Sequence, residues 1–545
     1  MANQPPRPIM GLITRNIREE DDRLIVSGLC VLKFSKKKKI IDTNKLRLDV
    51  PVRKDAAIVS FGKRFGAFLP KGCRINSYRM EFDIAAVKDF DIQNKLLLVF
   101  SDDDGREYEG RVLFDVADLR RGKNKNSEIF VHDGVSIYFR QNIHNTMFLT
   151  VRDTNQYDFP EGQKRIERAA KKAESLRDED IILFFEKKCS KYEESAAVLY
   201  EKLIDMGYEN AYFIVDKSIP AIEKLDEKYK KNLIDKDSDK HLEYFFASNK
   251  FISTETIEHA LQLRIASKEA QDKINTNTQD MMYVFLQHGP TYMVSLNMDL
   301  RNGFRKKENY KLHKTVVSSE LEAKHFIELG GMSRDDLYIT GMAKFDRSYR
   351  HEGADRIIIM PTWRRWETNQ ARDDITQTNY YKMVKLMYDS VPDDLKDKVI
   401  ILPHPLMAER FAGITDDSED ADLSKHILLA DSYDEVLRDC DMLITDYSSI
   451  SYDAYYRGAN VVFYWAEKDE CMTHYGEGTH LMLNLDNVFG PVAMNGEELE
   501  KHVKECYGRE QRPEDLKRYR KIIEFHDNKN TERIIEHLKK DGVIK

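Results

Sequence analysis

Two histidines each stand directly after an apolar stretch that is typical of a buried strand. His288 follows residues 282–287 and precedes Gly289 and Pro290, and His404 follows residues 399–403. Ligands of α/β sheets bind at the carboxyl ends of the strands, so an imidazole there can act as a general base or donate to a phosphate oxygen. For each histidine taken alone, a structural role in the turn remains the alternative.

A third stretch, Leu443–Asp453, combines an acid with two serines. The predicted strand ends at Asp446, and Ser448 and Ser449 then open a predicted helix. Serine hydroxyls together with the unpaired N–H groups of a helix start form an anion site. An ordinary helix cap explains one serine, whereas two serines after an acid favour phosphate binding.

The fourth stretch is 360–366, where Arg364 and Arg365 lie between Trp363 and Trp366. A guanidinium can make forked hydrogen bonds to phosphate, although surface arginines beside a core tryptophan are the alternative. An Asp-x-Asp pattern in the α/β part, 439–441, leads into an apolar strand, so we interpret it as structural. We therefore expect no metal and no cofactor, with charge stabilised by cations and helix dipoles.

The elements that position these residues begin near residue 180, where strands and helices alternate. Continuous apolar runs of this kind are typical of parallel strands buried on both faces. A helix is predicted from about 192 to 206, ending at Gly207. The predicted strands are too many for one ordinary parallel sheet. The sequence therefore predicts an α/β fold with two doubly wound, Rossmann-like lobes. The predicted strands are 181–185, 211–216, 251–253, 282–287, 314–319, 337–340, 356–361, 399–403, 426–430, 441–445 and 460–465.

The preceding residues, from about 20 to 152, have a different pattern of short β-branched and aromatic runs separated by turn signals. They predict an antiparallel sandwich, in which the acidic stretch 102–105 is a hairpin turn rather than a metal site. A charged stretch then predicts a linker helix. The assigned regions are 1–155 (β-rich domain), 156–179 (linker helix), 180–350 (first lobe) and 351–545 (second lobe, with a C-terminal helix, within 514–540, that can cross back to the first lobe).

The chain has 545 residues and a formal net charge of −8, which gives no general attraction to nucleic acid. Six scattered cysteines without a CxxC pair argue against a zinc site or disulfide framework and fit a reducing cytoplasm. The first twelve residues lack the apolar core that is typical of a signal peptide, so we expect none, and no apolar run approaches the ~20 residues needed to span a bilayer. The basic stretches 36–39 and 301–314 can meet anionic lipid, with a solvated surface as the alternative.

Taken in order, these stretches resemble the motifs of the CDP-glycerol glycerophosphotransferase family, the teichoic-acid primases and polymerases. The resemblance covers about residues 180–525. One motif, Leu-Ile-Thr-Asp-Tyr-Ser-Ser, is present unchanged. The matching segments are Gln287–Pro290, Thr340–Asp346, Met360–Arg364, His404–Pro405 and Leu443–Ser449.

The resemblance implies a GT-B type fold in which the second lobe binds most of the donor nucleotide. It implies transfer of glycerol phosphate or ribitol phosphate from CDP-glycerol or CDP-ribitol to a growing teichoic-acid-like or capsule polymer, with release of CMP. His288 and His404 would be catalytic: His288 as the base, and His404 together with the serines on the pyrophosphate. The implied substrate-binding residues are Gly289, Lys344, Thr362, Arg364, Asp446, Ser448 and Ser449.

Two departures bear on the substrate. Residues 290–293 replace the family's Pro-Leu-Lys, and Lys344 stands where arginine is usual, so a bidentate fork is lost. Because of these two departures, the sequence does not identify the acceptor, which is a polymer or a lipid-linked molecule, or the polyol that is transferred. We expect an enzyme of the cytoplasm, peripheral on the inner face of the membrane. The alternatives are a GT-B glycosyltransferase that uses a nucleotide sugar and a non-catalytic scaffold with a decayed site.

Overall fold

A computed structural model provides the fold of this chain. Contacts divide the chain into two structural units, of which the first ends at Arg168 and the second begins at Ala169. The structure describes residues 9–33, 46–49, 57–65, 73–88, 94–101, 107–114, 127–141, 147–261, 280–296, 305–367, 370–371, 374–404, 411, 421–430, 432–475 and 478–545. The basic stretch 36–39, the turns 102–105 and 142–145, and Pro405 lie outside these residues, as does the first part of 301–314.

The first unit is built from two β-sheets that share one apolar core. A seven-stranded sheet has the order β3-β7-β8-β1-β2-β5-β4, and a four-stranded sheet has the order β6-β11-β10-β9. Alternate residues such as Leu24, Val26, Ile137 and Phe139 point into the common core. The strands are β1 (Ile9–Glu20), β2 (Arg23–Lys33), β3 (Leu46–Asp49), β4 (Ala57–Phe65), β5 (Cys73–Asp83), β6 (Asn94–Lys95), β7 (Leu97–Ser101), β8 (Glu107–Phe114), β9 (Phe130–His132), β10 (Val135–Gln141) and β11 (Met147–Asp153), with one short helix, α1 (Ile84–Val87).

This arrangement differs from the predicted antiparallel sandwich at one place. β1 pairs with β8 in parallel, from Gly11–Thr14 to Arg111–Phe114, whereas the other neighbouring strands run antiparallel. Strand runs alone do not reveal direction, because the side-chain alternation is the same in both cases. The predicted charged helix is α2 (Pro160–Lys172), followed by a 3-10 segment at Ala173–Glu179.

The first lobe of the second unit is a seven-stranded parallel sheet with the order β14-β13-β12-β15-β16-β17-β18. The order reverses beside β12, which creates the kind of switch point where α/β sheets bind ligands. Its strands are β12 (Ile182–Phe185), β13 (Ala211–Val215), β14 (Leu233–Asp235), β15 (Lys250–Ser253), β16 (Met282–Phe285), β17 (Leu312–Val317) and β18 (Leu337–Ile339). Its helices are α3 (Ser195–Asp205), α4 (Pro220–Glu223), α5 (Glu227–Lys230), α6 (Asp239–Ala247) and α7 (Glu320–Gly330).

The second lobe is a five-stranded parallel sheet with the order β20-β19-β21-β22-β23. Its central strands are buried on both faces, as their unbroken apolar sequences predict. The strands are β19 (Arg356–Ile359), β20 (Val399–Ile401), β21 (Cys440–Thr445), β22 (Asn460–Tyr464) and β23 (Val492–Ala493). The helices are α8 (Asn379–Asp389), α9 (Ala421–Ser424), α10 (Tyr433–Arg438), α11 (Ile450–Tyr456), α12 (Lys468–His474), α13 (Gly496–Cys506), α14 (Pro513–Ile522) and α15 (Asn530–Lys540).

The two parallel sheets confirm the predicted class of fold, but one predicted strand is wrong. Residues 426–430 form a single bridge, from Ile427 to Ile401, and not a strand. Leu428 and Leu429 are exposed, so this apolar run has no second face to bury. The short strands β14 and β23 were not predicted.

The last helix, α15, packs on the first lobe. Ile534 and Leu538 join the core that contains Ile182 of β12, and Asp346 accepts hydrogen bonds from the N–H groups of Asn530 and Thr531 at 3.0 and 2.7 Å. The chain therefore crosses back, as its polar helical pattern suggested. Among the residues described, no helix has the length and hydrophobicity needed to cross a bilayer.

Candidate active site

His288 lies in a sharp turn at the carboxyl end of β16. The residue before it, Gln287, has φ +61°, in the left-handed region, and its side chain is buried. The Gln287 amide donates to the carbonyl of Val316 at 2.6 Å and to Glu322 at 3.2 Å. These bonds fix the turn and leave the His288 side chain about half exposed (49%).

Two buried carboxylates face the His288 ring. Nδ1 lies 3.2 Å from Oε2 of Glu194, and Nε2 lies 3.7 Å from Oε1 of Glu255. Glu194 immediately precedes α3, and Glu255 follows β15, so neighbouring strands and a helix start bring these groups together. Because a carboxylate only accepts hydrogen bonds, Nδ1 of His288 is the donor and Nε2 is the nitrogen available as a base.

Glu194 is kept ionised by its neighbours. Burial alone would raise its pKa, but the Lys187 ammonium, with Nζ 2.9 Å away, and His288 outweigh burial and hold the pKa of Glu194 well below its usual range. Burial would also raise the pKa of Glu255, but His259 and His288 outweigh burial, and the pKa of Glu255 is lowered. A charged carboxylate beside the imidazole stabilises the imidazolium that forms when the ring takes a proton.

The backbone that carries Lys187 is strained. Lys187, Lys188 and Cys189 have φ of +44°, +55° and +59°, three successive residues in a region that non-glycine residues rarely adopt. The turn directs the N–H of Lys188 to the Glu255 carboxylate at 2.5 Å. Strain of this kind persists where the surroundings enforce it, commonly at functional sites.

A buried acid supports the His288 turn from behind. Glu322, at the start of α7, accepts from the N–H groups of Thr291 and Ser318 at 2.6 and 2.5 Å, besides Gln287. Burial raises the pKa of Glu322 to about 6. The hydrogen bonds hold the Gly289–Thr291 segment in place against α7.

Lys344 connects the turn to the second lobe. Its Nζ donates to the carbonyl oxygen of His288 at 2.8 Å and pairs with Oδ1 of Asp453, on α11, at 2.7 Å. Its backbone N–H donates to the Ser195 hydroxyl at 3.2 Å. The ammonium has three donors, so one remains for a ligand.

Ser449 lies directly opposite the His288 turn. A Cβ built on Gly289 would lie 3.7 Å from Oγ of Ser449 and 3.8 Å from Nζ of Lys344. Ser449 precedes α11, and its hydroxyl makes no capping hydrogen bond to the helix. Ser448, the preceding residue, accepts the N–H of Ser451 on its carbonyl. The turn of one lobe and the serines of the other thus face each other across a narrow gap.

Asp446 and Thr362 join two strand ends beneath these serines. Oδ1 of Asp446 accepts the backbone N–H and the hydroxyl of Thr362 at 2.9 and 2.8 Å, and the N–H of Tyr447 at 2.6 Å. Its Oδ2 is buried without a hydrogen-bond partner among the residues described. Burial raises the pKa of Asp446, although Thr362 and Arg364 oppose the shift. The hydrogen bonds between Asp446 and Thr362 therefore hold the loop after β19 against the loop after β21.

Arg364 does not lie open to a ligand. The guanidinium is 3% exposed, is paired with Glu467 and donates to the Met383 sulfur at 3.0 Å. Burial alone would lower the pKa of Arg364, but the surrounding acidic groups raise it. Its predicted fork to phosphate would require it to leave Glu467.

His404 lies at the end of β20, in the second lobe. Its ring stacks on Trp363 with centroids 5.2 Å apart, and the backbone N–H of His404 donates to the Tyr380 hydroxyl at 3.4 Å. Burial lowers the pKa of His404 to about 4, so the imidazole is neutral at pH 7. A neutral ring can donate one hydrogen bond to a phosphate oxygen.

The structure thus brings His288, Gly289, Lys344 and Ser449 together, whereas Thr362, Asp446, Arg364 and His404 belong to the second-lobe side. The missed residues are Lys187, Glu194, Glu255, Glu322 and Asp453. Of these five, Glu255 lies two residues after the buried strand β15, so the rule that selected the histidines would also have selected it. Among the residues described, no group of three or more His, Cys, Asp or Glu side chains is arranged to hold a metal.

A family model identifies the family of this chain. The family model for CDP-Glycerol:Poly(glycerophosphate) glycerophosphotransferase matches residues 168–540. The chain is 23% identical over 201 residues to the minor teichoic acid biosynthesis protein GgaB of Bacillus subtilis (strain 168), a match that covers 34% of this chain and 21% of GgaB. The chain therefore spans about a fifth of that relative's length.

The comparison with solved structures matched, among others, the following two proteins. A variant of the wall teichoic acid polymerase TagF soaked with CDPG has a TM-score of 0.49 and 15% identity, covering 70% of this chain and 98% of that chain. A UDP-GlcNAc 2-epimerase from Methanocaldococcus jannaschii has a TM-score of 0.38 and 12% identity, covering 66% and 99%.

Proposed function

The chain belongs to the CDP-glycerol:poly(glycerophosphate) glycerophosphotransferase family, and from this premise we propose that it transfers a polyol phosphate from a CDP-linked donor to a growing teichoic-acid-like polymer. The transferred group is glycerol phosphate or ribitol phosphate, and the product released is CMP. The observation that carries the assignment to this site is the approach of Gly289, in the His288 turn, to Ser449 at the start of α11.

In this proposal His288 is the general base. The acceptor hydroxyl oxygen forms a bond to the phosphorus that carries the polyol, and its proton passes to Nε2 of His288. The bond between that phosphorus and the oxygen of CMP breaks, and CMP leaves with the electron pair. Glu194 holds Nδ1 and balances the imidazolium charge, at 3.2 Å from the ring.

The donor diphosphate lies in the gap between the two lobes. Ser448 and Ser449 donate their hydroxyls to its oxygens, and the third donor of Lys344 stabilises the charge that develops on the leaving CMP. Gly289 leaves the room that the phosphate needs, since no side chain fills the gap there. A neutral His404 donates to the CMP side, supported by its stack on Trp363.

Three further residues position this machinery. Thr362 and Asp446 fix the loop after β19 against the loop after β21, through the bonds at 2.8 and 2.9 Å. Arg364 acts through Glu467, which begins the segment leading into α12. We assign Arg364 a structural role in the donor lobe, since its guanidinium is buried and paired.

The test is CMP release by the full chain from CDP-glycerol and CDP-ribitol in the presence of a membrane fraction that contains acceptor. We expect CMP from at least one of these donors and incorporation of labelled polyol phosphate into polymer. UDP-sugars serve as the competing donors. Transfer from a UDP-sugar, with no CMP from either CDP donor, would instead identify a nucleotide-sugar glycosyltransferase.

We also propose that the acceptor is lipid-linked or polymer bound to the inner face of the cell membrane, with the protein peripheral to it in the cytoplasm. The basic stretches 36–39 and 301–314 support this placement, since clustered lysines and arginines attract anionic lipid. Co-sedimentation with vesicles that contain anionic lipid should decline as salt increases, and binding to neutral vesicles should be weak. Equal binding to both kinds of vesicle would contradict the proposal.

A further inference from the structure

A cavity of about 340 Å³ lies between the two lobes, on the side of Lys344. Its first-lobe wall comes from the start of α3 and from α4, and its second-lobe wall comes from α10 and the residue before it. The walls include the apolar groups of Tyr192, Val198 and Ala221. The volume is in the range of small-molecule sites, and no residue of the catalytic proposal except Lys344 lines it.

The cavity adjoins the catalytic groups. Lys344 lines it while donating to the His288 carbonyl at 2.8 Å. Glu193 also lines it, and the next residue, Glu194, has its carboxylate 3.2 Å from the His288 ring. A molecule held in the cavity can therefore present one end to the base and to the gap where the donor phosphates are proposed to lie.

Six charged groups of the walls are already paired with one another. Arg347 binds Glu201 at 2.6 Å, and Arg438 binds Asp434 at 2.6 Å. Lys224 lies 3.8 Å from Glu435. A polyanion would have to displace these carboxylates, whereas hydroxyl groups can donate to the carboxylates and accept from the cations without separating them.

We propose that this cavity binds the uncharged, hydroxyl-rich terminal unit of the acceptor, a polyol or sugar end, and delivers its reacting hydroxyl to His288. The proposal rests on the proposed transferase function, which it deepens by naming the acceptor subsite. The paired wall charges give hydrogen bonds of fixed direction, and the apolar wall packs on the C–H faces of the ligand.

Ala221 provides a test that spares the fold. It is exposed on the short helix α4 and lines the cavity, so Ala221→Trp fills the space from the surface, and Ala221→Ser is the matched control. The probe is glycerophosphoglycerol, which has uncharged glycerol ends, and its binding to the full chain is measured by calorimetry. We expect Ala221→Trp to bind the probe at least tenfold more weakly than wild type and Ala221→Ser, with unchanged affinity for CDP-glycerol.

Measurements of enzyme activity distinguish a failure of the acceptor-subsite proposal from a failure of the proposed transferase function. In the CMP-release assay, Ala221→Trp should raise the acceptor KM at least tenfold and leave the donor KM unchanged. Equal probe binding by Ala221→Trp and wild type, or no probe binding by wild type, would overturn the subsite, whatever the donor result. Failure of wild type to release CMP from either CDP donor would instead count against the proposed function, while the binding result still decides the cavity.

Discussion

Nδ1 of His288 lies 3.2 Å from the carboxylate of Glu194, although the two residues are 94 positions apart in the chain. The pair joins the carboxyl end of β16 to the start of α3. Lys187 holds the carboxylate from the other side at 2.9 Å. The ring is therefore oriented by a charged group that is itself fixed, which is the arrangement needed by a histidine that takes a proton.

The first prediction concerns this pair. His288→Ala should lower CMP release by about 10²–10⁴-fold, the usual contribution of a general base. His502→Ala, on the surface helix α13, should have no effect. Unchanged release in His288→Ala would remove His288 from the reaction.

Glu194→Gln keeps the shape of the side chain but removes its charge. We expect kcat to fall about ten- to a hundredfold, with an unchanged donor KM, as when a group that orients a histidine is lost. In a His288→Ala background the same change should cause no further loss, because the two residues act as one unit. Additive losses would show that Glu194 acts independently of the ring, and the exposed Glu209→Gln is the control.

The pairing of Lys344 with Asp453 predicts a separation of stability from activity. The two side chains are 12% and 9% exposed, so Lys344→Met removes the nearer partner of a buried carboxylate and leaves it with Arg457 at 3.9 Å. The loss of this charge-assisted hydrogen bond should destabilise the protein by about 2 kcal/mol. Lys344→Met combined with Asp453→Asn should recover most of that stability, measured by urea unfolding, but not CMP release. Recovery of both would mean that Lys344 serves only the fold.

Gly289 gives a steric test of the phosphate gap. A Cβ there makes ordinary contacts at 3.7 Å or more, so Gly289→Ala should fold and retain most activity. The branched side chain of Gly289→Val extends between Ser449 and Lys344 and should weaken CDP-glycerol binding at least about tenfold, or ~1.4 kcal/mol. Calorimetry with the donor, together with thermal melting to confirm folding, measures both. Normal donor affinity in Gly289→Val would place the diphosphate elsewhere.

His313 predicts a pH dependence of stability. Burial lowers its pKa to about 4, and Nδ1 accepts the N–H of Lys307 at 2.8 Å. The unfolded chain protonates this ring below about pH 6.5, so the unfolded state binds more protons between pH 6.5 and 4, and stability falls as the pH falls through that range. For this one group the loss is at most about 3 kcal/mol.

The variant His313→Asn isolates that contribution. Its amide oxygen can accept the same N–H but does not titrate. Denaturant unfolding at several pH values should show a smaller loss between pH 6.5 and 4 than in wild type, even if the variant is less stable at pH 7.5. Parallel curves for the two proteins would contradict the assignment, since the other titrating groups are common to both.

Much of the second unit could be predicted from its sequence, because a strand buried on both faces needs an unbroken apolar run. Strands β12, β16, β19 and β21 are of this kind. The failures have a local cause. β14 is a three-residue edge strand that ends in the exposed Asp235, and residues 426–430 are apolar yet remain on the surface.

The candidate site divides in the same way. His288 and Ser449 were found because each follows a strand at the edge where parallel sheets bind ligands. Glu194 follows no strand, and nothing in its local sequence distinguishes it from the other acids near α3. Arg364 lies in a matching motif and is a residue type that binds phosphate. Its guanidinium instead points to Glu467, a residue 103 positions away, which the local sequence does not reveal.

By itself, then, the sequence determined the parallel sheets, the strand ends that carry His288, His404 and Ser449, and the family motifs. These follow from periodicity and from short-range order along the chain. Only the tertiary structure decided which carboxylates meet the imidazole, that Lys344 joins the two lobes, and that a cavity adjoins them. Such contacts depend on the distances between elements remote in sequence, and apolar patterning sets burial without fixing which polar side chains meet.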